Sequence, residues 1–489
     1  MIEKSTEEVQ AGIQQKAVVG FLILIARKIL LQAFYTFSNI FLARLLFPTD
    51  FGIYAIIGSI GSIFLAFSDI GLAAAMVQKK RIVSNLEIKT SFTVQLTLGI
   101  VIVLLINIFA NFLAVFYKIE THTNLIRLYS VVFLLSPFRL IPLALLERSL
   151  RYINLFFVEV IPIICGSIIT VLLAFLGFGI SSFIWGVLIN YLISAVILLP
   201  QQSWFKGIYF DIKSFLLLAR FGFNFQTNVF LGLLYGPLII LYLGKAVGSE
   251  NLGYFQFAAS IYVFPLAFSE IINRVSFPVG SRIQSDRILL RNLVEKTISL
   301  ISITTLPLVA IGLVAVKPFL HYVYTDRWLP ALPVIYLGLL QMGVMSYTGF
   351  FSQILVAKGR SEIIRNVALI WVLLTWVIAP VLIFHFNFVG LSLTNLIVTI
   401  SGIIFYFKLK KYVDFSFWDN VLIYIIGAVL ASFVFVISEY LFPDTFLTLV
   451  ISAGLSLISY IVFLFLFAKN TLIQYITWIK SIFILKTKK

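Results

Sequence analysis

Long apolar runs separated by short polar turns recur along the whole chain. The runs are about 20 residues or longer, enough for a helix rising 1.5 Å per residue to cross a hydrocarbon core about 30 Å thick. They lack the alternation of barrel strands, and backbone groups in lipid must bond within their own segment, so helices are predicted. About fourteen transmembrane segments result, at approximately residues 17–46, 51–77, 91–116, 125–146, 155–176, 181–199, 215–244, 253–278, 297–320, 330–357, 363–384, 388–407, 420–441 and 445–468.

One stretch of this pattern occurs twice. Residues 42–81 align without a gap to residues 243–282, at an offset of 201, and ten of the forty pairs are identical. LAFSDI at 65–70 aligns with LAFSEI at 266–271, and the differences between the copies are often chemically mild, such as Asp69 against Glu270. A match of this length at constant offset indicates two copies of one module of about 200 residues.

The repeat and the segment count predict the domain organisation. Six segments per copy mean that both copies enter the membrane from the same side, so an axis along the membrane normal relates them. We expect two parallel six-helix bundles, at 1–208 and 209–411, with a cleft between them. Residues 412–489 add two further helices and a basic tail, whose part from 472 to 489 suits a helix lying in the inner interface.

The distribution of basic residues predicts the orientation. With the amino terminus inside, only six of the 36 Lys and Arg residues fall at outer ends: Arg44, Lys118, Arg127, Lys245, Lys317 and Arg327. Cytoplasmic loops carry such an excess of basic residues, so both termini are predicted to be cytoplasmic. The net charge of +16 is spread over many short loops, which argues against nucleic-acid binding.

Composition excludes several classes of protein. The chain is 61% hydrophobic and 11% charged, which is typical of a polytopic helical membrane protein. Its single cysteine, Cys165, excludes an internal disulfide or a cysteine cluster, and the three histidines have no metal-site spacing. No glycine-rich phosphate loop is present and the outer loops are short, so neither ATP drive nor an outer active site is expected. We therefore predict a transporter with no catalytic residue and no cofactor.

Ionisable residues within the segments are the main functional candidates, because each is costly unless it faces water or a partner. Segment one carries Arg27 and Lys28 about 15 Å from its start, by a rise of 1.5 Å per residue. Lys28, Gln32, Tyr35 and Asn39 recur at helical spacing on one face, which predicts one wall of a water-filled cavity. The alternative is that segment one protrudes into the cytoplasm and both cations lie at headgroup level.

Asp69 and its repeat partner Glu270 are the next candidates. Glu270 has Arg274 four residues later, at ion-pair spacing. These acids would hold cavity cations in place or bind a coupling H⁺ or Na⁺. The structural alternative is that Ser68 and Asp69 cap a helix that restarts before Gly71.

Further polar and ionisable candidate residues lie on segment seven and near the cytoplasmic ends of other segments. Arg220, Asn224 and Asn228 form a polar stripe there, and Glu159 is a further coupling or structural acid. Arg139 lies deeper than the other inner bases but is not selected as a site residue. Arg148 and Arg151 are interpreted as loop charges that set topology.

The first 150 residues resemble a known family. FLARLLFPTDFGIYA, FSDIGLAAAMVQKK and ALLERSLRYINLFFVE are similar to Wzx-type polysaccharide flippases of the multidrug/oligosaccharidyl-lipid/polysaccharide exporter superfamily, nearest the colanic and teichuronic acid exporter branch. LARFGFN, LGYFQFA and PVGSRIQSD extend the resemblance through the second half, to about residue 410.

The resemblance implies two bundles around a central cavity that opens to alternate sides. It implies an undecaprenyl-diphosphate-linked oligosaccharide as cargo, moved across the bacterial cytoplasmic membrane for surface polysaccharide synthesis. Arg27 and Lys28 would hold the diphosphate, and Tyr35, Asn39, Asn224 and Asn228 would contact the sugar. The bilayer, a polymerase and glycosyltransferases are the implied partners, and the transporter is expected to be a monomer.

Two other functions remain as alternatives. A multidrug or cation antiporter would share the architecture, but segment one lacks the acid that several antiporters carry there. A membrane polymerase or ligase would need a sizeable outer loop with catalytic groups, which the sequence lacks.

Overall fold

The protein is described by a computed structural model at residues 27–28, 30–79, 81–149, 151–200, 204 and 207–469. Every regular element among these residues is helical. Helix α1 includes residues 27–28 and 30–45. The others are α2 (Pro48–Asp69), α3 (Leu72–Gln78), α4 (Asn85–Tyr117), α5 (Thr123–Ser130), α6 (Val132–Arg148), α7 (Tyr152–Phe175), α8 (Ser181–Leu198), α9 (Ile212–Tyr235), α10 (Pro237–Tyr262), α11 (Phe264–Arg282), α12 (Arg287–Val323), α13 (Leu332–Ala357), α14 (Ser361–Phe386), α15 (Val389–Ser401), α16 (Ile404–Lys410), α17 (Leu422–Leu441) and α18 (Phe446–Phe467).

Twelve stretches of the described residues are long and apolar enough to cross a membrane. The predicted class, an all-α polytopic membrane protein, is therefore confirmed, whereas the count of fourteen stays a prediction. The first ten residues of segment one and the basic tail at 472–489 lie outside the described residues. Large apolar side chains such as Phe384, Phe433 and Leu466 are mostly exposed, as expected of a surface that lipid covers.

Two predicted segments are interrupted, for local reasons. Segment two breaks after Asp69, where Ile70 and Gly71 take left-handed backbone angles, with φ of 49° and 75°. Segment seven breaks at Gly236, whose φ of −107° and ψ of −103° are not helical, and Pro237 then begins α10. Within α10 a further kink lies at Gly248, with φ 82° and ψ 170°.

The chain divides into two compact units, Met1–Gln256 and Phe257–Lys489. This division differs from the predicted bundle boundary at residue 208, which stays a prediction. The core of the first unit includes Trp204, whose indole N–H donates to the Leu198 carbonyl at 3.0 Å and whose ring lies 5.6 Å from Phe92. Trp204 thus packs in one cluster with residues of α3, α4, α6 and α9.

Hydroxyl groups join the helices in the core of the second unit. Ser269 of α11 donates to Ser346 of α13 at 2.7 Å, and the Ser302 hydroxyl of α12 lies 2.8 Å from that of Tyr347. Small polar residues of this kind let membrane helices approach closely, and their hydroxyl groups form hydrogen bonds with one another. They therefore contribute packing and hydrogen bonding where apolar burial between helices contributes little.

The two copies of the repeated stretch pack against each other through matching positions. A Cβ atom at Gly52 of α2 would lie 1.7 Å from the Ser249 carbonyl oxygen of α10, so only glycine fits. A Cβ at Gly253 would lie 1.7 Å from the Pro48 carbonyl oxygen. Gly253 and Ser249 are the repeat partners of Gly52 and Pro48, so the contact is reciprocal. The helix break before Pro48 recurs at Gly248, in the same register.

The copies differ after the paired acids. Asp69 is followed by the break at Ile70 and Gly71, whereas Glu270 lies inside the continuous helix α11. A β-branched residue such as Ile70 rarely takes a positive φ, and strained backbone of this kind is typical of functional sites.

Candidate functional site

A cavity of about 390 Å³ lies inside the first unit and is lined by α1, α2, α6, α7, α8 and α10. Its polar lining comes from hydroxyls, amides and one arginine, namely Ser38, Asn39, Arg139, Ser167, Thr170, Asn190 and Gln256. Its aromatic lining consists of Tyr35, Phe51, Tyr54, Phe183 and Tyr191. The lining therefore combines ring faces with many hydrogen-bonding groups and a single positive charge.

Arg139 supplies the charge from the middle of α6. Its Nη1 donates to Asn190 Oδ1 at 3.3 Å, and its guanidinium carbon lies 5.0 Å from the centre of the Tyr191 ring. Among the described residues no carboxylate lies within 4.0 Å of it. A charged arginine among membrane-spanning helices has a high free energy unless an anion pairs with it. The Arg139 guanidinium is therefore available to bind an anion in the cavity.

Close helix packing shapes the aromatic and polar walls. The rings of Tyr54 and Phe183 stack with their centres 4.5 Å apart, which fixes α2 against α8. A Cβ atom at Gly186 of α8 would lie 1.8 Å from Thr170 Oγ1, so glycine lets α8 approach α7. Thr170 itself donates to the Gly166 carbonyl at 2.8 Å. The walls are thus held by backbone contacts and ring stacking.

The predicted stripe on α1 is divided by the structure. Tyr35 and Asn39 line the cavity, and Asn39 is buried. Lys28 and Gln32 are half-buried on the same helix but lie outside this lining. Their predicted contact with cargo stays a prediction.

Arg27 and Glu159 form an ion pair between α1 and α7. Both side chains are about one fifth exposed, at 21% and 22%. Arg27 is predicted to hold the cargo and Glu159 to be a coupling or structural acid, and the structure brings the two together. Paired in this way, each charge satisfies the other in a region of restricted water.

The remaining predicted residues lie on α9 and α11. Arg220 and Arg274 are exposed and Glu270 is half-buried. Asn224 and Asn228 belong to α9, but their side chains lie outside the described part of the structure. The predicted roles of all five stay predictions.

Asp69 lies at the break between α2 and α3. Its Oδ1 accepts the Ala73 backbone N–H at 3.1 Å and the Gln95 side-chain N–H at 2.5 Å. Asp69 therefore caps the restarted helix, which is the structural alternative left open by the sequence. The break also contacts α9, because a Cβ at Gly71 would lie 2.5 Å from the Gly222 carbonyl oxygen.

Sequence reasoning missed the roles of two arginines. Arg139 is not among the predicted site residues, although an arginine deep within a predicted span is a signal of function. Arg148 was interpreted as a loop charge, but it donates to the carbonyls of Met76, Lys79 and Arg81 at 2.9, 2.5 and 2.7 Å. It thus holds the carboxyl end of α3, where carbonyls lack helical partners.

A second cavity, of about 600 Å³, lies in the second unit near the end of α12. His321 Nδ1 lies 2.6 Å from Asp326 Oδ1, and the Tyr322 hydroxyl donates to Asp444. No group of three or more potential metal ligands occurs among the described residues. The bond from Tyr322 to Asp444 joins α12 to the loop between α17 and α18 at this cavity.

Comparison with known proteins identifies related sequences. The family model described as "Polysaccharide biosynthesis protein" matches residues 41–333, more than half of the chain. Teichuronic acid biosynthesis protein TuaB of Bacillus subtilis is 24% identical over 311 residues, covering 60% of this chain and 62% of TuaB. Lipopolysaccharide biosynthesis protein WzxC of Escherichia coli is 26% identical over 326 residues, covering 66% of each chain. The matches thus span slightly less than two thirds of these relatives.

Solved structures show the fold. Lipid II flippase MurJ, in an inward closed conformation, superposes with a TM-score of 0.76 at 15% identity, covering 92% of this chain and 100% of MurJ. An inward-facing multidrug resistance MATE transporter gives a TM-score of 0.56 at 12% identity, covering 78% of this chain and 95% of the transporter. The chain therefore has the fold shared by these two groups of membrane proteins.

Proposed function

The chain belongs to the polysaccharide biosynthesis protein family, which confirms the resemblance found in its sequence, and we propose that it is a flippase for lipid-linked oligosaccharides. In this proposal it moves undecaprenyl-diphosphate-linked repeat units across the bacterial cytoplasmic membrane by alternating access. The cargo is carried unchanged, and both termini of the protein are cytoplasmic. TuaB and WzxC, named for teichuronic acid and lipopolysaccharide biosynthesis, support a role in surface polysaccharide synthesis.

The observation that carries the proposal is the cavity around Arg139. Sugar hydroxyls need hydrogen-bonding partners, and the cavity offers them from amides and hydroxyls such as Asn190 and Thr170. The apolar faces of sugar rings pack on aromatic rings, and Tyr54 and Phe183 offer such faces. Arg139 has five N–H donors, of which the described contacts use one, so it can bind an anionic group of the cargo.

The same observation disfavours the rival function. An antiporter for cationic drugs would use an acidic residue where its substrate binds. The permanently charged side chain in this lining is instead a base, Arg139. The lining thus has the sign of charge that suits an anionic cargo. An exchange of H⁺ or Na⁺ would drive the transport, with a polymerase and glycosyltransferases as working partners and a monomer as the functional unit.

The experiment replaces Arg139 by Ala in a host whose surface polymer depends on this protein. Hydrogen bonds to a charged group contribute about 1.5–3 kcal/mol each, so loss of one cargo contact predicts a decrease in transport of roughly 10- to 150-fold. Lipid-linked repeat units should accumulate and surface polymer should fall, while Arg139→Lys retains part of the activity.

Arg127→Ala is the matched control, because Arg127 is a basic residue of the same unit outside the cavity, bonded to Asn111 at 3.2 Å. The amount of each variant in the membrane is measured by immunoblot. Equal polymer from the Arg139→Ala and Arg127→Ala strains at equal protein would refute the proposed role of the cavity. Drug sensitivity of the deletion strain without accumulated lipid-linked units would instead identify the antiporter.

A further inference from the structure

The contact between Asp69 and Gln95 leaves one buried oxygen without a partner. Gln95 of α4 is 1% exposed, and its Nε2 donates to Asp69 Oδ1 at 2.5 Å. The other end of the same amide, Oε1, is buried and has no hydrogen-bond partner among the described residues. Buried polar atoms of this kind are rare and call for a ligand or a role.

A carboxyl group and a primary amide that already share one hydrogen bond can form a second hydrogen bond parallel to the first. In the neutral acid, one carboxyl oxygen accepts from the amide N–H while the other carries a hydrogen that can be donated to the amide oxygen. With Asp69 ionised, the second carboxyl oxygen and Gln95 Oε1 are both acceptors, and no hydrogen is present to join them. Adding one proton to the Asp69 carboxyl supplies the hydrogen for the second hydrogen bond.

We propose that Asp69 and Gln95 form a proton-binding site at the break between α2 and α3. A proton from water adds to Asp69, which cancels its negative charge, and the resulting O–H donates to Gln95 Oε1. The site differs from the cavity around Arg139, and its part in transport rests on the proposed function. The binding of the proton itself does not.

The electrostatic surroundings of Asp69 contain no described counter-charge. Its carboxyl accepts hydrogen bonds from Ala73 and Gln95, and it forms no ion pair among the described residues. α3 carries no titratable group, and Glu87 of α4 is paired with Lys79. None of the described ion pairs joins Asp69 to the other titratable groups of α2 or of α4, α5, α8, α9 and α10, which pack against α2. These groups are Asp50, Tyr54, Lys89, Tyr117, Arg127, Tyr129, Tyr191, Lys213, Arg220, Tyr235, Tyr242, Lys245, Glu250, Tyr254 and Tyr262.

The position of the site links proton binding to the packing of α2, α3 and α9. Asp69 stabilises the restart of α3 by accepting N–H groups, and a neutral carboxyl accepts them more weakly. The break is fixed to α9 by the contact of Gly71 with Gly222 and by Gln226, whose amide donates to the Ala66 carbonyl. α2 also lines the cavity through Tyr54. Protonation of Asp69 therefore affects the contact between α9 and the break at the end of α2, the helix that lines the cavity.

The test is a pH titration of the purified full-length protein in lipid nanodiscs, followed by infrared spectroscopy. A neutral carboxylic acid gives a carbonyl stretch that a carboxylate lacks. All 20 Asp and Glu residues give such a stretch when neutral, so we expect one component of the band to grow in the wild type as pH falls and that component to be missing from Asp69→Asn. Asp50→Asn is the matched control, since Asp50 is the acid at the other end of α2, and this variant should keep that component.

A second variant and a salt comparison keep the result decisive. Gln95→Leu retains the carboxyl but removes its partner, so that component should move to higher wavenumber. The titration midpoint should be the same in sodium chloride and choline chloride. An unchanged band in Asp69→Asn, an unchanged wavenumber in Gln95→Leu, or a midpoint that follows sodium concentration would each overturn the proposal.

The two proposals fail separately. A band assigned to Asp69 together with normal polymer from Arg139→Ala would leave the proton site and remove the proposed cargo site. Accumulated lipid-linked units in the Arg139→Ala strain, with no titrating band at Asp69, would remove only the proton site.

Discussion

The reciprocal glycine contact gives a prediction whose size follows from the coordinates. Replacing Gly52 by Ala puts a Cβ atom 1.7 Å from the Ser249 carbonyl oxygen, whereas ordinary contacts begin at 3.4 Å. The two helices must therefore separate locally by about 1.7 Å. The obstacle is backbone, which cannot rotate away as a flexible side chain would.

The expected cost follows from overpacking. Extra methyl groups in a well-packed interior cost about 1–3 kcal/mol, and a backbone obstacle favours the upper end of that range. Gly58→Ala on the same helix is the control, because nothing lies within 4 Å of its Cβ position. Alanine is favoured over glycine in helices by about 1 kcal/mol, but both positions lie in α2 and this gain cancels between the two variants. They should therefore differ by the overpacking cost alone, about 2–3 kcal/mol.

The assay is thermal unfolding of the purified variants in one detergent, with Gly253→Ala as the repeat partner of Gly52→Ala. Gly52→Ala and Gly253→Ala should melt well below the wild type, and Gly58→Ala at or above it. Equal melting of Gly52→Ala and Gly58→Ala would refute the packing of α2 against α10 described above.

Three further predictions concern single contacts. Arg27→Glu and Glu159→Arg should each reduce the amount of folded protein, and the double exchange should restore it, as measured by size-exclusion profiles; no restoration would contradict the ion pair. Arg148→Ala should cost about 3 kcal/mol by freeing the carbonyls at the end of α3, and proteolysis near residue 80 should increase relative to Arg151→Ala; equal proteolysis would contradict this. Trp204→Ala should cost about 3–5 kcal/mol, because it empties a buried site, and Trp204→Phe about half of this; equal melting of both would contradict it.

Hydrophobic periodicity was sufficient for the architecture because the bilayer constrains helix length. Segments such as 445–468 and 363–384 agree closely with α18 and α14. The breaks were harder to predict. The turn at Ile70 and Gly71 lies in an apolar run with no proline, and it depends on Asp69, Gln95 and the close approach of α9, which are tertiary contacts.

The candidate site was predictable only in part. Tyr35 and Asn39 were found because they share a helical face, and a shared face is visible in the sequence. Arg139 was not selected, because its partners Asn190 and Tyr191 lie 51 and 52 residues away on another helix. The spacing of residues along one helix does not show which neighbouring helix a side chain meets.

The pairing of Arg27 with Glu159 shows the same limit. Each charge was recognised as unusual for its depth, but a sequence gives depth along a helix and not the distance between helices. Neither residue could therefore be assigned a partner before the packing of α1 and α7 was known.

The contact that joins Pro48 and Gly52 to Ser249 and Gly253 has the form found at the interface of a symmetric homodimer, where each subunit offers the same patch to the other. A half-length chain with one copy would offer a single self-complementary patch, and two such chains would pair through it. Fusion into one polypeptide makes that pairing permanent and frees each side to change alone. The turn after Asp69, absent after Glu270, is one such divergence.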